Sequence, residues 1–228
     1  ASLLLKGLDA SKDQSYFLHA INQKALAHTL FPIGDYTKSE IRKIAKQQDL
    51  ITHNKKDSTG ICFIGERNFS RFLKEYLLVE KGAIQTLDGD TIGEHDGLMY
   101  YTIGQRQGLQ LGGIQGAADL PWYVIDKDQS QNILYVGQGG DHPRLYSQGL
   151  FCSQMEWISD IAPAFPLECQ IKTRYREIDV PALVTQTENN RFCVMFSKPI
   201  RAVTPGQSVV FYQDEVCLGG AIIESAIR

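Results

Sequence analysis

Reactive chemistry in this chain centres on Asp57-Ser58-Thr59-Gly60-Ile61-Cys62-Phe63-Ile64-Gly65. A single cysteine stands between apolar pairs, Gly60 and Gly65 bracket the run, and His53-Asn54-Lys55-Lys56 leads into it. Asp, Ser and Thr side chains bond nearby backbone N–H groups, so 57–59 reads as a turn. Residues 60–65 then read as a short extended piece with Cys62 at its middle. Lysines beside a thiol favour the thiolate, the nucleophilic form. The same setting also suits a small buried hydrophobe, and the local sequence leaves both readings open.

Two further groups have types and spacing suited to binding. Lys172-Thr173-Arg174-Tyr175-Arg176 alternates, so a strand there puts Lys172, Arg174 and Arg176 on one face. An aromatic among such cations meets RNA phosphates together with a base or sugar. Thr204-Pro205-Gly206-Gln207 is a turn ending in an amide that can hydrogen-bond. An exposed strand and an ordinary turn are the plain alternatives. The glycines of Leu111-Gly112-Gly113-Ile114-Gln115-Gly116 are loop glycines, not a phosphate loop. No Gly-Lys-Ser/Thr follows them and no strand–loop–helix unit surrounds them.

The elements that must position these groups fall into three parts. The first third is helical. Asp13-Gln14-Ser15 starts a helix whose apolar stripe holds Tyr16, Phe17, Leu18 and Ile21, and residues 23–30 form a second short piece that Phe31-Pro32-Ile33-Gly34 ends. Thr37-Lys38-Ser39-Glu40 spells a capping box. It predicts a helix over 38–48 that buries Ile41, Ile44 and Ala45 and exposes Arg42, Lys43 and Lys46. A further helix is predicted over 68–78. In the middle third, strands at 83–87 and 91–95 flank Asp88-Gly89-Asp90, a hairpin signal, and 122–126 pairs with 132–137. The last third predicts strands at 150–156, 167–174, 180–187, 191–196, 208–212 and 215–224. Their regular spacing is that of a small barrel or sandwich.

Composition excludes some classes. Of 228 residues 43% are hydrophobic and 21% charged, the balance of a globular protein with a sizeable core. No run is long and apolar enough to span a membrane, and the first residues lack the basic front of a signal peptide. Cys62, Cys152, Cys169, Cys193 and Cys217 are scattered with no Cys-x-x-Cys pair. That argues against an all-cysteine zinc site, and an odd, scattered set suits a reducing cytoplasm. The net charge of −3 does not announce nucleic acid, although a local patch suffices to bind it. The start at Ala1, without Met and directly in apolar residues, suggests a fragment.

The ordered motifs Lys12-Asp13-Gln14-Ser15-Tyr16-Phe17-Leu18, Phe31-Pro32-Ile33-Gly34, Lys56 to Glu66 around Cys62, Gly97 to Arg106, Pro121-Trp122-Tyr123-Val124, Lys172 to Arg176, Ala202 to Gln207 and Cys217-Leu218-Gly219-Gly220 resemble the tRNA-specific 2-thiouridylases, the MnmA/TrmU family. The resemblance runs end to end and matches the C-terminal two-thirds of such enzymes. It implies an α/β remnant, the helical tail of a PP-loop domain (1–67), then a small β-rich central domain (68–147) and a C-terminal all-β barrel like those of elongation factors (148–228). The implied activity is ATP-dependent transfer of sulfur to C2 of the wobble uridine in tRNA, in the cytoplasm. Cys62 is then the catalytic persulfide carrier, helped by a second cysteine. Lys12, Asp13, Gln14, Arg174, Tyr175 and Gln207 contact tRNA. ATP with Mg serves the full-length enzyme, with no cofactor expected on this fragment, and a sulfur-relay protein donates the persulfide. The family's Ser-Gly-Gly-Val-Asp-Ser loop and partner cysteine are not among these 228 residues, so they are expected to be inactive alone. The other four cysteines read as structural thiols. The alternative is a non-catalytic RNA-binding barrel module with Cys62 simply buried.

Overall fold

The computed structural model describes residues 1–56, 80–112 and 118–228. The Cys62 stretch and the helix expected over 68–78 lie outside the described residues. In chain order the elements are β1 (Leu4–Leu5), a 3-10 turn (Ser15–Leu18), α1 (Gln23–Ala27), α2 (Lys38–Gln47), β2 (Gly82–Gln85), β3 (Thr91–His95), a 3-10 turn (Leu98–Tyr100), β4 (Trp122–Asp128) and β5 (Ile133–Gln138). A third 3-10 turn (Pro143–Leu145) precedes β6 (Tyr146–Trp157), β7 (Leu167–Lys172), β8 (Val180–Gln186), β9 (Phe192–Arg201), β10 (Ser208–Gln213) and β11 (Val216–Ile227). The chain is mostly β. It divides into two compact units, one joining residues 1–56 to 147–228 and one formed by 57–146.

The first unit is built on a closed barrel. Its strands run β11-β10-β7-β8-β9-β6, and β6 pairs with β11 to close the ring. The predicted strands all form, most of them longer than expected. Alternation along each strand sends one side chain in two to the interior. There Leu150, Ile171, Val184, Val194, Val209, Phe211 and Ile223 pack together. Each contributes about 1.5–3 kcal/mol when fully removed from water. Strand β10 is apolar on both faces for a reason. Val209 and Phe211 point into the barrel, while Val210 and Tyr212 lie outside it under the N-terminal segment, in a second cluster with Leu4, Tyr16, Leu26, Ile158 and Cys217. The two-residue β1, which periodicity is too short to reveal, seals that cluster by pairing Leu4 with Cys217 and Leu5 with Val216.

Closure depends on Gly219-Gly220. Gly219 has φ +149°, and a Cβ on it would overlap the Glu156 carbonyl oxygen of β6. A Cβ on Gly220 would overlap the His19 ring and lie 2.9 Å from the Val209 carbonyl oxygen. Only glycine lets two backbones and a ring approach this closely.

The N-terminal helices follow the cap signals closely and the burial signals less so. The α2 capping box forms: Thr37 Oγ1 accepts from the Glu40 N–H at 3.3 Å, and the Glu40 carboxylate accepts from the Thr37 N–H at 2.7 Å. The expected burial of Ile41, Ile44 and Ala45 does not follow, because α2 buries none of its residues and Ile44 is 43% exposed. The helix expected from Asp13-Gln14-Ser15 shortens to the 3-10 turn Ser15–Leu18, since Asn22 opens a separate helix by capping Ala25. Phe17, expected in the apolar stripe, is 58% exposed.

The second unit holds a four-stranded sheet in the order β3-β2-β5-β4, with β2 and β5 parallel and the other pairs antiparallel. The predicted Asp88-Gly89-Asp90 turn is present, with Gly89 at φ +92° and the Thr86 N–H donating to the Asp90 carbonyl at 3.0 Å. Ile84, Val124, Ile125, Leu134 and Val136 are its buried centre. His95 is fully buried, with both ring nitrogens engaged. Nδ1 accepts from the Gly97 N–H at 3.0 Å, and Nε2 donates to the Asn132 carbonyl at 3.1 Å, a tautomer assigned from these partners. No helix among the described residues is long and apolar enough to cross a membrane.

Candidate nucleic-acid interface

Asp13 organises the approach to the site. Only 6% exposed, its carboxylate accepts from the Gly7 N–H at 3.1 Å, the Ser15 N–H at 3.0 Å and the Ser15 hydroxyl at 2.8 Å. These bonds fold residues 7–15 back on themselves. They start the 3-10 turn and leave Gln14 exposed just ahead of it. The Gln14 amide donates to the Tyr175 hydroxyl at 2.7 Å. Lys12, half-buried, lies in the turn in which its N–H donates to the Asp9 carbonyl at 2.8 Å.

Tyr16 then ties together strand ends that are far apart in sequence. Its hydroxyl sits 2.9 Å from the Ser208 carbonyl and 3.2 Å from that of Thr173. Burial, with the Glu177 charge adding to it, pushes this phenol up to about 12, so it remains a donor at neutral pH. Ser208 follows Gln207, and Thr173 precedes Arg174. The Arg174 guanidinium donates to the Ala202 carbonyl at 2.7 Å and to Thr204 Oγ1 at 3.1 Å. Burial pulls the Arg174 pKa down, against the attraction of Glu177. Gln207 closes the 204–207 turn through its N–H to the Thr204 carbonyl at 3.3 Å. With Pro205 second and Gly206 third at φ +83°, this is a type II turn. Gln14, Arg174, Tyr175 and Gln207 are thus gathered around one buried tyrosine.

The expected strand face of Lys172, Arg174 and Arg176 does not exist. Strand β7 stops at Lys172. Beyond it, Thr173 donates to the Glu177 carboxylate at 2.8 Å and Arg176 takes φ +69°, which turns the chain. Lys172 is drawn into a largely buried ionic group, 3.9 Å from Asp13 and 3.8 Å from Asp179, with its ammonium 5.3 Å from the Tyr212 ring centroid. Lys6 completes the group at 2.8 Å from Asp179. Arg176 instead lies against Tyr175, 5.3 Å from its ring centroid, and Phe17 packs on the same ring at 4.6 Å. Sequence reasoning missed Phe17 at this surface, and it had Arg176 on a strand face rather than against Tyr175. No local signal separates Tyr16 from Phe17, since the successive residues Ser15 and Tyr16 of the same turn are both buried.

Among the described residues, Cys152, Cys169, Cys193 and Cys217 are free. Burial raises the thiol pKa of Cys152, Cys169 and Cys217 to about 12, and it also moves that of Cys193 upward. Below those values the thiols stay protonated and are poor nucleophiles. Iodoacetamide at pH 7.5 is therefore expected to leave Cys152 and Cys217 unmodified in the folded chain and to label them after unfolding. Rapid native labelling of either, read by peptide mass spectrometry, contradicts this account.

No group of three or more His, Cys, Asp or Glu side chains suited to a metal occurs among the described residues. The described α-helices begin at Asn22 and Thr37 caps.

Fold and surface define a class: a two-unit β protein whose barrel carries an arginine–aromatic–amide cluster at one edge. Three models match in chain order: a tRNA methyl transferase HUP domain at residues 1–66, a tRNA methyl transferase PRC-barrel domain at 70–138 and an aminomethyltransferase beta-barrel domain at 147–223. The tRNA-specific 2-thiouridylase MnmA of Legionella pneumophila is 56% identical over 225 residues, which is 99% of this chain and 62% of that protein. The MnmA of Idiomarina loihiensis is 54% identical, over 98% of this chain and 60% of its own length. That of Serratia proteamaculans is 52% identical, over 100% and 62%. The chain belongs to the tRNA-specific 2-thiouridylase family, MnmA/TrmU. It spans about three-fifths of the length of the curated relatives it matches.

Proposed function

We propose that these residues are the tRNA-docking and sulfur-bearing part of a cytoplasmic tRNA-uridine 2-sulfurtransferase. The observation that supports this best is the gathering of Gln14, Arg174, Tyr175 and Gln207 around Tyr16. The cluster offers a cation held by two acceptors, amides and aromatic surface, the set that engages phosphate, sugar and unstacked bases in RNA. Lys12 and the backbone around Asp13 extend the same edge, while the Asp13 carboxylate itself is turned inward. Membership of the family adds the chemistry. Cys62 carries a persulfide received from a sulfur-relay protein; its terminal sulfur attacks C2 of the wobble uridine and expels the activated oxygen with AMP. The thiolate of the family's partner cysteine, not among these 228 residues, then attacks the Cys62 sulfur, breaking the S–S bond to leave a disulfide and the 2-thiouridine. ATP, with Mg, converts the C2 oxygen into a leaving group in the whole enzyme. In this reading the part of the described residues is to hold the RNA. The domains follow the division 1–67, 68–147 and 148–228.

The test separates sulfur transfer from docking. In the whole enzyme, Cys62→Ser is expected to abolish thiolation of tRNA supplied with ATP and a sulfur source, while tRNA affinity stays within about twofold. The 228 residues alone are expected to bind tRNA without thiolating it. Thiolation retained by Cys62→Ser, or clear turnover by the 228 residues alone, removes the corresponding part of the proposal.

A further inference from the structure

We infer that Phe17, with Tyr175 as its support, is the side chain on which an unpaired base of the bound tRNA stacks. This deepens the tRNA-docking reading and rests on it. Tyr175 has little ring face to offer. Phe17 packs against it at 4.6 Å, the Arg176 guanidinium lies 5.3 Å from its centroid, Tyr16 is at 6.4 Å, and its hydroxyl is held by Gln14 at 2.7 Å. Phe17 is the reverse case. It has no polar atom, yet 58% of it is exposed. It is not loose: it sits on the 3-10 turn, edge-on to Tyr16 at 5.4 Å and 86°, and inclined 45° to Tyr175. A flat, preordered, solvated aromatic is what a base needs as a stacking platform, because little conformational freedom is lost on binding.

The surroundings select the partner. The tyrosine that Phe17 packs against also holds the Gln14 amide on its hydroxyl and the Arg176 guanidinium 5.3 Å from its ring centroid. Arg174 is fixed in the next stretch of the same edge. An apolar protein segment would gain nothing from that polar and cationic rim. A nucleotide uses all of it, with the base on the ring, the sugar or base edge on the amide and the phosphate near the guanidinium. The base must come from a loop, since a paired base has no open face.

The test is binding of end-labelled, unmodified tRNA to the 228-residue chain at several salt concentrations. Phe17→Ala is expected to weaken binding about tenfold, the scale of one lost base–aromatic stack. Phe17→Leu is expected to lose nearly as much, although it keeps apolar bulk, and Phe17→Trp to bind at least as tightly as the parent. The salt slope is expected to stay the same in all three, because no phosphate contact is removed. Parent-like affinity of Phe17→Ala or Phe17→Leu overturns the stacking role and leaves tRNA docking intact. A shallower salt slope in Phe17→Leu also overturns it, by assigning the loss to displaced cations. Failure of the parent chain to bind tRNA overturns the docking reading itself, and the stacking role with it.

Discussion

Asp13→Ala is expected to destabilise the barrel unit by about 3 kcal/mol, the cost of removing one partner from a buried charged group. The carboxylate is the sole side chain joining the Gly7 N–H, the Ser15 N–H and the Ser15 hydroxyl, and it faces the Lys172 ammonium. Alanine leaves two backbone donors without an acceptor and Lys172 with only Asp179 opposite it. In a chain of this size such a loss lowers the melting temperature by about 10 °C. Asp13→Asn keeps one acceptor oxygen and is expected to lose about half as much. Because Gln14 and the Ser15–Leu18 turn are set by the same bonds, tRNA affinity is expected to fall with stability. A melting temperature within about 1 °C of the parent defeats this account of Asp13, which would then be free to meet RNA directly.

The second large effect is expected at Gly219. Gly219→Ala asks a strand residue to hold φ +149° with a side chain that overlaps the Glu156 carbonyl oxygen. That oxygen belongs to the backbone of β6, where Gly219 pairs with Trp157 and Gly220 with Glu156 to close the ring. Neither strand can retreat without opening the barrel. Steric overlap and backbone strain together are expected to cost about 4 kcal/mol. Gly220→Ala is expected to cost less, since the worst overlap is with the His19 ring, a side chain able to move. Thermal unfolding of the purified variants checks the order, and a Gly219→Ala protein as stable as Gly220→Ala would show that the closure tolerates a wider gap.

Much of this architecture is written locally in the chain. The α2 capping box, the Asp88-Gly89-Asp90 hairpin and the barrel strands follow from short-range chemistry, and so they were legible. What misled was any inference that needed to know what lies opposite. The alternation of Lys172, Arg174 and Arg176 is real, but Thr173 binds Glu177 and turns the chain, so the three cations separate into an ionic group, a backbone clamp and an aromatic contact. The apolar spacing of α2 is equally real, yet Ile44 stays exposed. Phe17 reads as core beside Tyr16, and only the packed turn shows which of the two faces water. Cys62 lies outside the described residues, and the role proposed for it rests on the family resemblance, since its local sequence fits a reactive and a buried thiol alike.

The pairing of β1 with β11 also constrains the order in which the molecule is made. Leu4 meets Cys217, so β1 waits for a strand made far later along the chain. The 57–146 unit interrupts that wait as one continuous stretch, and its sheet is complete long before β11 emerges. The second unit is therefore free to form during synthesis, whereas Tyr16, Phe17 and the turn they occupy have no closed barrel to rest on until β10 and β11 have emerged. The proposed RNA-facing edge therefore becomes ordered only after the sheet of the second unit has had time to form.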